Sequence, residues 1–225
     1  MRRRTLLKLG LAAAAAGCGR RVPPFGAGDC GPPTREDVLG PYYPRWDVAG
    51  GDEDTDLTRV AGQVERAQGV LTLVRGRVLD DACQPITGAR VELWQANHFG
   101  RYRHADADTS LADDPGFQGF GFATTGADGG YGFLTIRPGP YPVLRGGTQL
   151  RAPHLHLRTR HADFREDMVQ MYFEGEALNG SDYYLSRLPP AEQARVVVAV
   201  GPAELRGDDE AAVHRFDIVL ARTAS

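Results

Sequence analysis

The chain has 225 residues, 42% hydrophobic and 24% charged, enough for one large core or two small ones and too apolar for a disordered or collagen-like chain. Its 26 basic residues against 29 acidic ones give a net charge of -3, which is no footprint for nucleic acid. With 28 glycines, 15 prolines and few runs of helical spacing after the first twenty residues, a turn-rich β protein is the class that remains.

The amino terminus reads as an address. MRRRTLLKLGLAAAAAGC has arginines at 2–4, Lys8, an apolar run from Leu9 to Ala16 and no acid, the layout of an export signal whose apolar run is too short to span a bilayer. Arg3-Arg4-Thr5-Leu6-Leu7-Lys8 resembles the twin-arginine signal for export of folded proteins. We therefore expect residues 1–17 to be a signal and the protein to be exported, to the periplasm, the cell surface or the medium. Ala15-Ala16-Gly17-Cys18 resembles a lipoprotein cleavage box with alanine for the usual leucine, so Cys18 is either a lipid anchor or part of a plainly secreted chain. Of the three cysteines, Cys30 and Cys83 then remain as a pair that an oxidising compartment permits to bond, the alternative being two separate buried thiols.

Residues 18–34 are rich in Gly and Pro and read as a tether, leaving 35–225 for one folded domain. DVLGPYYPRWDV (37–48) offers aromatic groups in a frame that Pro41 and Pro44 keep out of helix, and GGDEDTD (50–56) is a solvated acidic loop. Strand patterns follow: VLTLVRGRVLD (70–80), a turn at QPITGA, ARVELWQA (89–96) with Val91 and Leu93 on one side, and two strand-like segments around a turn at 127–130. LRAPHLHLRTR, MVQMYFEG (168–175) and HRFDIVLAR (214–222) are further strands. PPAEQARVV is a short helix, with proline near its start and Glu192 in its first turn. Many short strands in one domain of this size predict a mainly β protein, an antiparallel β-sandwich with long loops and few short helices.

Side chains alternate faces along a strand, so His154 and His156 in RAPHLHL share one face. Two imidazoles there can serve one metal ion, or be two half-exposed histidines on a sandwich face. Neither zinc-finger cysteine spacing nor HExxH accompanies them, so structural zinc and a metalloprotease have no support. Tyrosines in glycine- and proline-flanked loops stand out instead: Tyr102 in GRYRH and Tyr141 in RPGPYP, where the prolines fix the direction of the phenol.

ELWQANHFGRYRHAD, DGGYGFLTIRPGPYP, RAPHLHLR and VQMYFEGE, in this order, resemble the intradiol ring-cleavage dioxygenases, in particular the iron-bearing chain of the protocatechuate 3,4-dioxygenases. The likeness runs from about Gly40 to Leu220. It implies that Tyr102, Tyr141, His154 and His156 bind one mononuclear non-haem iron(III), with Tyr141 and His156 axial. The donor types suit that ion: a hard, highly charged cation favours hard phenolate oxygens and lowers their pKa from about 10. The implied reaction cleaves a catechol-type ring with O2 between its two hydroxylated carbons, giving a cis,cis-muconate-type diacid. Tyr141 would also act as a base on the diol, Arg151 would steady negative charge, and Gln170 would sit beside Arg151. Tyr42 in GPYYP resembles a segment lining the substrate cavity, while Trp94 is expected to be core packing.

Two departures bear on the substrate and the assembly. Val143 stands where protocatechuate enzymes usually carry a pocket tryptophan, and the helical amino-terminal region by which catechol 1,2-dioxygenases dimerise is missing. The substrate class is thus a small aromatic diol such as protocatechuate, catechol or hydroxyquinol, in a homo- or hetero-oligomer. The rival reading is a non-catalytic module: VRGRVLDDACQPITGARVEL with TTGADGGYGF resembles the transthyretin-like and carboxypeptidase-regulatory sandwiches. Such a module has no use for Tyr102, Tyr141, His154 and His156 together.

Overall fold

The computed structural model describes residues 30–44 and 53–223; the export signal, Cys18 with the tether up to residue 29, and positions 50–52 of the acidic loop lie outside them. In chain order the elements are β1 (Leu71–Asp80), β2 (Arg90–Trp94), β3 (Phe120–Thr124), β4 (Gly130–Ile136), β5 (Tyr141–Pro142), β6 (Leu150–Arg151), β7 (His154–His161), β8 (Phe164–Phe173), α1 (Pro190–Val196), β9 (Val197–Val198), β10 (Val200–Arg206), β11 (Asp209–Arg215) and β12 (Ile218–Leu220). Two five-stranded sheets form the sandwich: one around β1, flanked by β4, β11 and β12, and one in the order β3-β2-β7-β8-β9. Most pairings are antiparallel, whereas β1 lies parallel to β11 and β12, and β8 parallel to β9.

The core between the sheets collects one face of each: Val74, Val78 and Phe133 from the first meet Val91, Leu93, Leu155, Leu157, Met171 and Phe173 from the second. Burying such side chains contributes roughly 1.5–3 kcal/mol each before the entropy of ordering the chain is deducted. The opposite face of β2-β7-β8 is also covered. There Trp94, Tyr102, Phe120, Tyr141 and Met168 make a second apolar cluster under the loops. A sheet buried on both sides must satisfy every polar group on it internally.

The expected turn at 127–130 is present, yet β3 and β4 on either side of it belong to different sheets, so it crosses the sandwich instead of closing a hairpin. The expected last strand is two strands, broken at Phe216–Asp217. Gly76 makes room for the break, since a Cβ there would fall 1.7 Å from the Phe216 carbonyl oxygen, and the Asp217 carboxylate accepts the Arg77 N–H at 2.8 Å. The step lets β11 and β12 pair with successive stretches of β1. The β10–β11 hairpin is an addition to the expected elements; its GPAELRGDDE run reads as a loop because nearly every side chain along it is solvated.

Residues 30–44 form a strap without regular structure that crosses the second sheet. Cys30 is bonded to Cys83, Thr34 exchanges hydrogen bonds with Val219 (2.8 and 2.9 Å), and the Asp37 N–H donates to the Met168 carbonyl at 2.6 Å. Where the strap meets β8, burial pushes the Asp167 carboxyl up to about 7, with Glu36 and Asp37 adding repulsion and Arg195 opposing it.

Two outcomes follow. Cys30–Cys83 spans 53 residues, so opening it is expected to cost on the order of 4 kcal/mol by loop-closure entropy, read as a lower urea midpoint for Cys83→Ser or the reduced protein. Between its unfolded value of 3.8 and about 7, Asp167 holds its proton in the folded state and releases it in the unfolded one, so stability falls as pH rises through that window. Asp167→Asn is expected to be more stable than the parent at pH 8 by roughly 1–4 kcal/mol and to lose that advantage at pH 4, measured by denaturant melts.

Candidate active site

β7 is hydrogen-bonded on both sides, to β2 and β8, and its alternation sends Leu155 and Leu157 into the sandwich core while His154 and His156 face the loops. Trp94 lies opposite His156 in register and stacks on its ring, centroids 4.7 Å apart and planes 11° from parallel, so this tryptophan both fills the core and fixes an imidazole. His154 Nδ1 lies 2.6 Å from the Ala152 carbonyl oxygen. A carbonyl only accepts, so Nδ1 carries the hydrogen and Nε2 is left with its lone pair. That Nε2 faces His156 Nε2 at 3.3 Å and the Tyr141 hydroxyl at 3.4 Å. Burial first, then the Arg151 charge, holds His154 well below the ordinary histidine value, and burial with His154 and Arg151 does the same to His156. Both rings are therefore neutral and able to donate lone pairs.

Tyr102 and Tyr141 reach the same place from two loops that pack backbone against backbone. Gly100, at φ +86°, is 2.2 Å from the Pro140 carbonyl oxygen measured from a built Cβ, and Gly139 is 2.3 Å from that of His98; any side chain at either would force the loops apart. Asn97 shapes the first loop by accepting the Phe99 and Arg101 N–H groups at 2.9 Å, and its carbonyl takes the Gly139 N–H at 2.9 Å. The two phenol rings meet edge to face, centroids 5.3 Å apart. Burial raises Tyr102 well above the ordinary phenol range, and it raises Tyr141 against the opposing charge of Arg151.

The Tyr102 hydroxyl is buried with no hydrogen-bond partner among the described residues, beside a second phenol and the Nε2 atoms of two imidazoles. Among the described residues no three His, Cys, Asp or Glu side chains cluster to hold a metal; the converging donors here are two phenols and two imidazoles, a set suited to a hard trivalent cation that would ionise both hydroxyls. The residues fit such an ion.

Arg151 is buried and held on several sides. Nε donates to Asp182 Oδ2 at 2.9 Å, Nη2 to Gln170 Oε1 and to Tyr172 Oη at 2.9 Å, and Nη1 to Tyr141 Oη at 3.4 Å. Gln170 thus lies beside the arginine, as expected. Tyr172, buried on β8, also bonds within this network, and Asp182 carries no motif that marks it: an aspartate before a short helical turn reads from sequence as a cap.

The strap roofs the site. Gly40 lies over His156, and Tyr42 stacks on Tyr102 with centroids 4.6 Å apart and stands edge-on to Tyr141 at 6.0 Å. Tyr43 donates its hydroxyl to the fully buried Glu92 at 2.8 Å. Tyr42, Tyr102 and Tyr141 line a cavity of about 10 Å³ with Gly100, Pro142 and Arg145, room for about one water. Val143 and Gln170 are not part of that lining; Val143 is half-buried in the loop between β5 and β6. His104 is buried edge-on to Tyr42 at 5.9 Å and accepts the Asp106 N–H at 3.1 Å, near the phenols without joining the four donors.

This arrangement of two loop phenols and a strand HxH pair on a β-sandwich is that of a ring-cleaving dioxygenase, and the comparisons agree. The family profile described as Dioxygenase matches residues 38–222. The chain belongs to the intradiol ring-cleavage dioxygenases. It is 36% identical over 185 residues to a protocatechuate 3,4-dioxygenase beta chain of Burkholderia cepacia, covering 82% of this chain and 77% of that one. The dioxygenase domain of a dioxygenase–carbohydrate-binding fusion from Streptomyces sp. SirexAA-E has a TM-score of 0.58 at 29% identity, over 84% of this chain and 99% of that chain. A 3-chlorocatechol 1,2-dioxygenase of Rhodococcus opacus 1CP has a TM-score of 0.65 at 18% identity, over 85% and 74% of the two chains, which shows the shared fold.

Because Gly100 sets the approach of the two phenol loops, Gly100→Ala is expected to keep the far-ultraviolet circular dichroism of the sandwich and to weaken ferric-ion binding at least tenfold, measured by titration of the apoprotein with iron(III) followed by absorbance.

Proposed function

We propose that the protein is an iron(III)-dependent intradiol dioxygenase that cleaves a small catechol-type ring, such as protocatechuate, catechol or hydroxyquinol, with O2 to a cis,cis-muconate-type diacid. The observation that carries this reading is the convergence of Tyr102, Tyr141, His154 and His156 in one buried pocket, where the Tyr102 hydroxyl meets no hydrogen-bond partner among the described residues beyond its neighbour phenol. The chemistry that iron(III) supplies when held by these four side chains is chelation of the two diol oxygens and activation of the bound ring toward O2.

The chain's own residues account for the rest. As the phenolate that a bound ferric ion would make of it, Tyr141 would take a diol proton on its Oη, which lies 3.4 Å from both His154 Nε2 and Arg151 Nη1, and the phenol so formed would return the proton once the ring has opened. The buried Arg151 guanidinium offsets the negative charge of a deprotonated diol in a site with little water to screen it. Tyr42, stacked over Tyr102, offers a flat apolar wall to an aromatic ring.

We also propose that the protein is exported, to the periplasm, to the cell surface through a lipid on Cys18, or to the medium. The twin-arginine-like residues 1–17 and the Cys30–Cys83 bond, which suits an oxidising compartment, support export.

The test is the visible spectrum of the iron-quantified protein, before and after catechol or protocatechuate is added without oxygen. A red-brown tyrosinate-to-iron(III) band that moves to longer wavelength with one diol is the expected result. Tyr102→Phe and His154→Ala are expected to lose most bound iron and the band, and Arg151→Ala to keep the band and lose turnover. A protein that stays colourless with ferric iron would sink the proposal in favour of a binding module.

A further inference from the structure

Asp182 is fully buried and comes from a part of the chain remote from β7, between the short helical turns Asn179–Ser181 and Leu185–Arg187. Its two oxygens divide their partners. Oδ1 accepts the N–H groups of Tyr184 at 3.0 Å and Leu185 at 2.9 Å, which shapes its own loop, and a longer bond from the Tyr172 hydroxyl at 3.4 Å. Oδ2 accepts Arg151 Nε at 2.9 Å and the Ala152 N–H at 2.8 Å, and Ala152 is the residue whose carbonyl sets the His154 tautomer. The same loop lays the Tyr184 ring against the Arg151 guanidinium, 4.6 Å from its centre. With Nε held by Asp182 and Nη2 by Gln170 and Tyr172, the planar fork has one orientation left, in which Nη1 faces the Tyr141 hydroxyl.

We propose that Asp182 is a positioning residue for ring cleavage, aiming Arg151 Nη1 at the Tyr141 phenol and at the diol oxygen that comes to lie beside it. The inference rests on the role given to Arg151 above and adds the group that makes that role possible. A guanidinium in a pocket with so many acceptors has several places to turn. The phenol hydroxyls of Tyr141 and Tyr172 bond to it and the Tyr184 ring lies against it, and a single anionic partner at Nε makes one geometry dominate. An asparagine at 182 separates the two duties of the carboxylate: its one amide oxygen still accepts the loop N–H groups, while its NH2 meets the Arg151 and Ala152 donors as a second donor. The loop is kept and the aim is lost.

The experiment uses the iron-loaded full chain with catechol, protocatechuate and hydroxyquinol as probes, and compares Asp182→Asn, Arg151→Ala and the double variant. Expected for Asp182→Asn is wild-type iron content and an unmoved tyrosinate band, kcat lower by ten- to a hundredfold, KM within about threefold, and no further loss when it is added to Arg151→Ala. Asp182→Glu, which keeps the charge and moves it by one methylene, is expected to show the same split and stands in if the asparagine variant does not fold. A wild-type kcat in Asp182→Asn or Asp182→Glu would overturn the inference. So would a loss that multiplies with that of Arg151→Ala, because Asp182 would then act independently of the arginine. Loss of bound iron in both Asp182 variants would also overturn it and assign the residue to holding His154. A wild-type protein that binds iron and turns over none of catechol, protocatechuate and hydroxyquinol would instead overturn the proposed function, and this inference with it.

Discussion

Everything at this site depends on the two-residue period of one strand. Because β7 alternates, Leu155 and Leu157 lock it into the sandwich core and His154 and His156 must then emerge together on the other side. β7 is paired on both edges, so a slip of one residue would bury two imidazoles in the apolar core and expose two leucines to the polar pocket, a double penalty that fixes the register. The histidine pair is thereby positioned by hydrophobic packing on a face that carries no chemistry.

The other face is organised by polar satisfaction. The site holds two neutral imidazoles, two phenols above their ordinary range and a guanidinium in a space screened from solvent, which is tolerable only where each has a fixed partner. His154 has the Ala152 carbonyl, Arg151 has Asp182, Gln170 and Tyr172, and His156 has the stacked Trp94. The Tyr102 hydroxyl and His156 Nδ1 have no hydrogen-bond partner among the described residues, and unsatisfied buried groups of this kind are the energetic cost of a preformed ligand set.

The sequence made part of this legible and left part hidden, for separable reasons. A pattern carried by consecutive residues survives in one dimension: HLH announces two side chains on one face, and the β-branched run at 70–80 announces a central strand. The tyrosines are different. Nothing in the local spacing says that GRYRH and PGPYP meet; likeness to a family supplied that, and the physical signal, Gly100 against Pro140 and Gly139 against His98, shows only once the loops are packed. Asp182 was hidden because its sequence neighbours describe its first oxygen and its function lies with the second. The β10–β11 hairpin was hidden because its strands face solvent and carry no apolar alternation to read.

The strap brings a division of labour of another kind. The residues that would hold a metal sit on a strand and loops tied to the sandwich core, while Tyr42 and Gly40, which roof them, belong to a segment without regular structure, held to the body by one sulfur–sulfur bond, hydrogen bonds that include those of Arg195 and Glu92, and the packing of Leu39, Tyr42 and Tyr43. Substitutions along 35–44 can recut the roof without replacing a strand residue of the sandwich or any of the four donors. A fold arranged in this way can change its diet by exchanging a ten-residue segment, and a library confined to that segment is where selection for new aromatic diols has the most freedom at the least risk to the reaction.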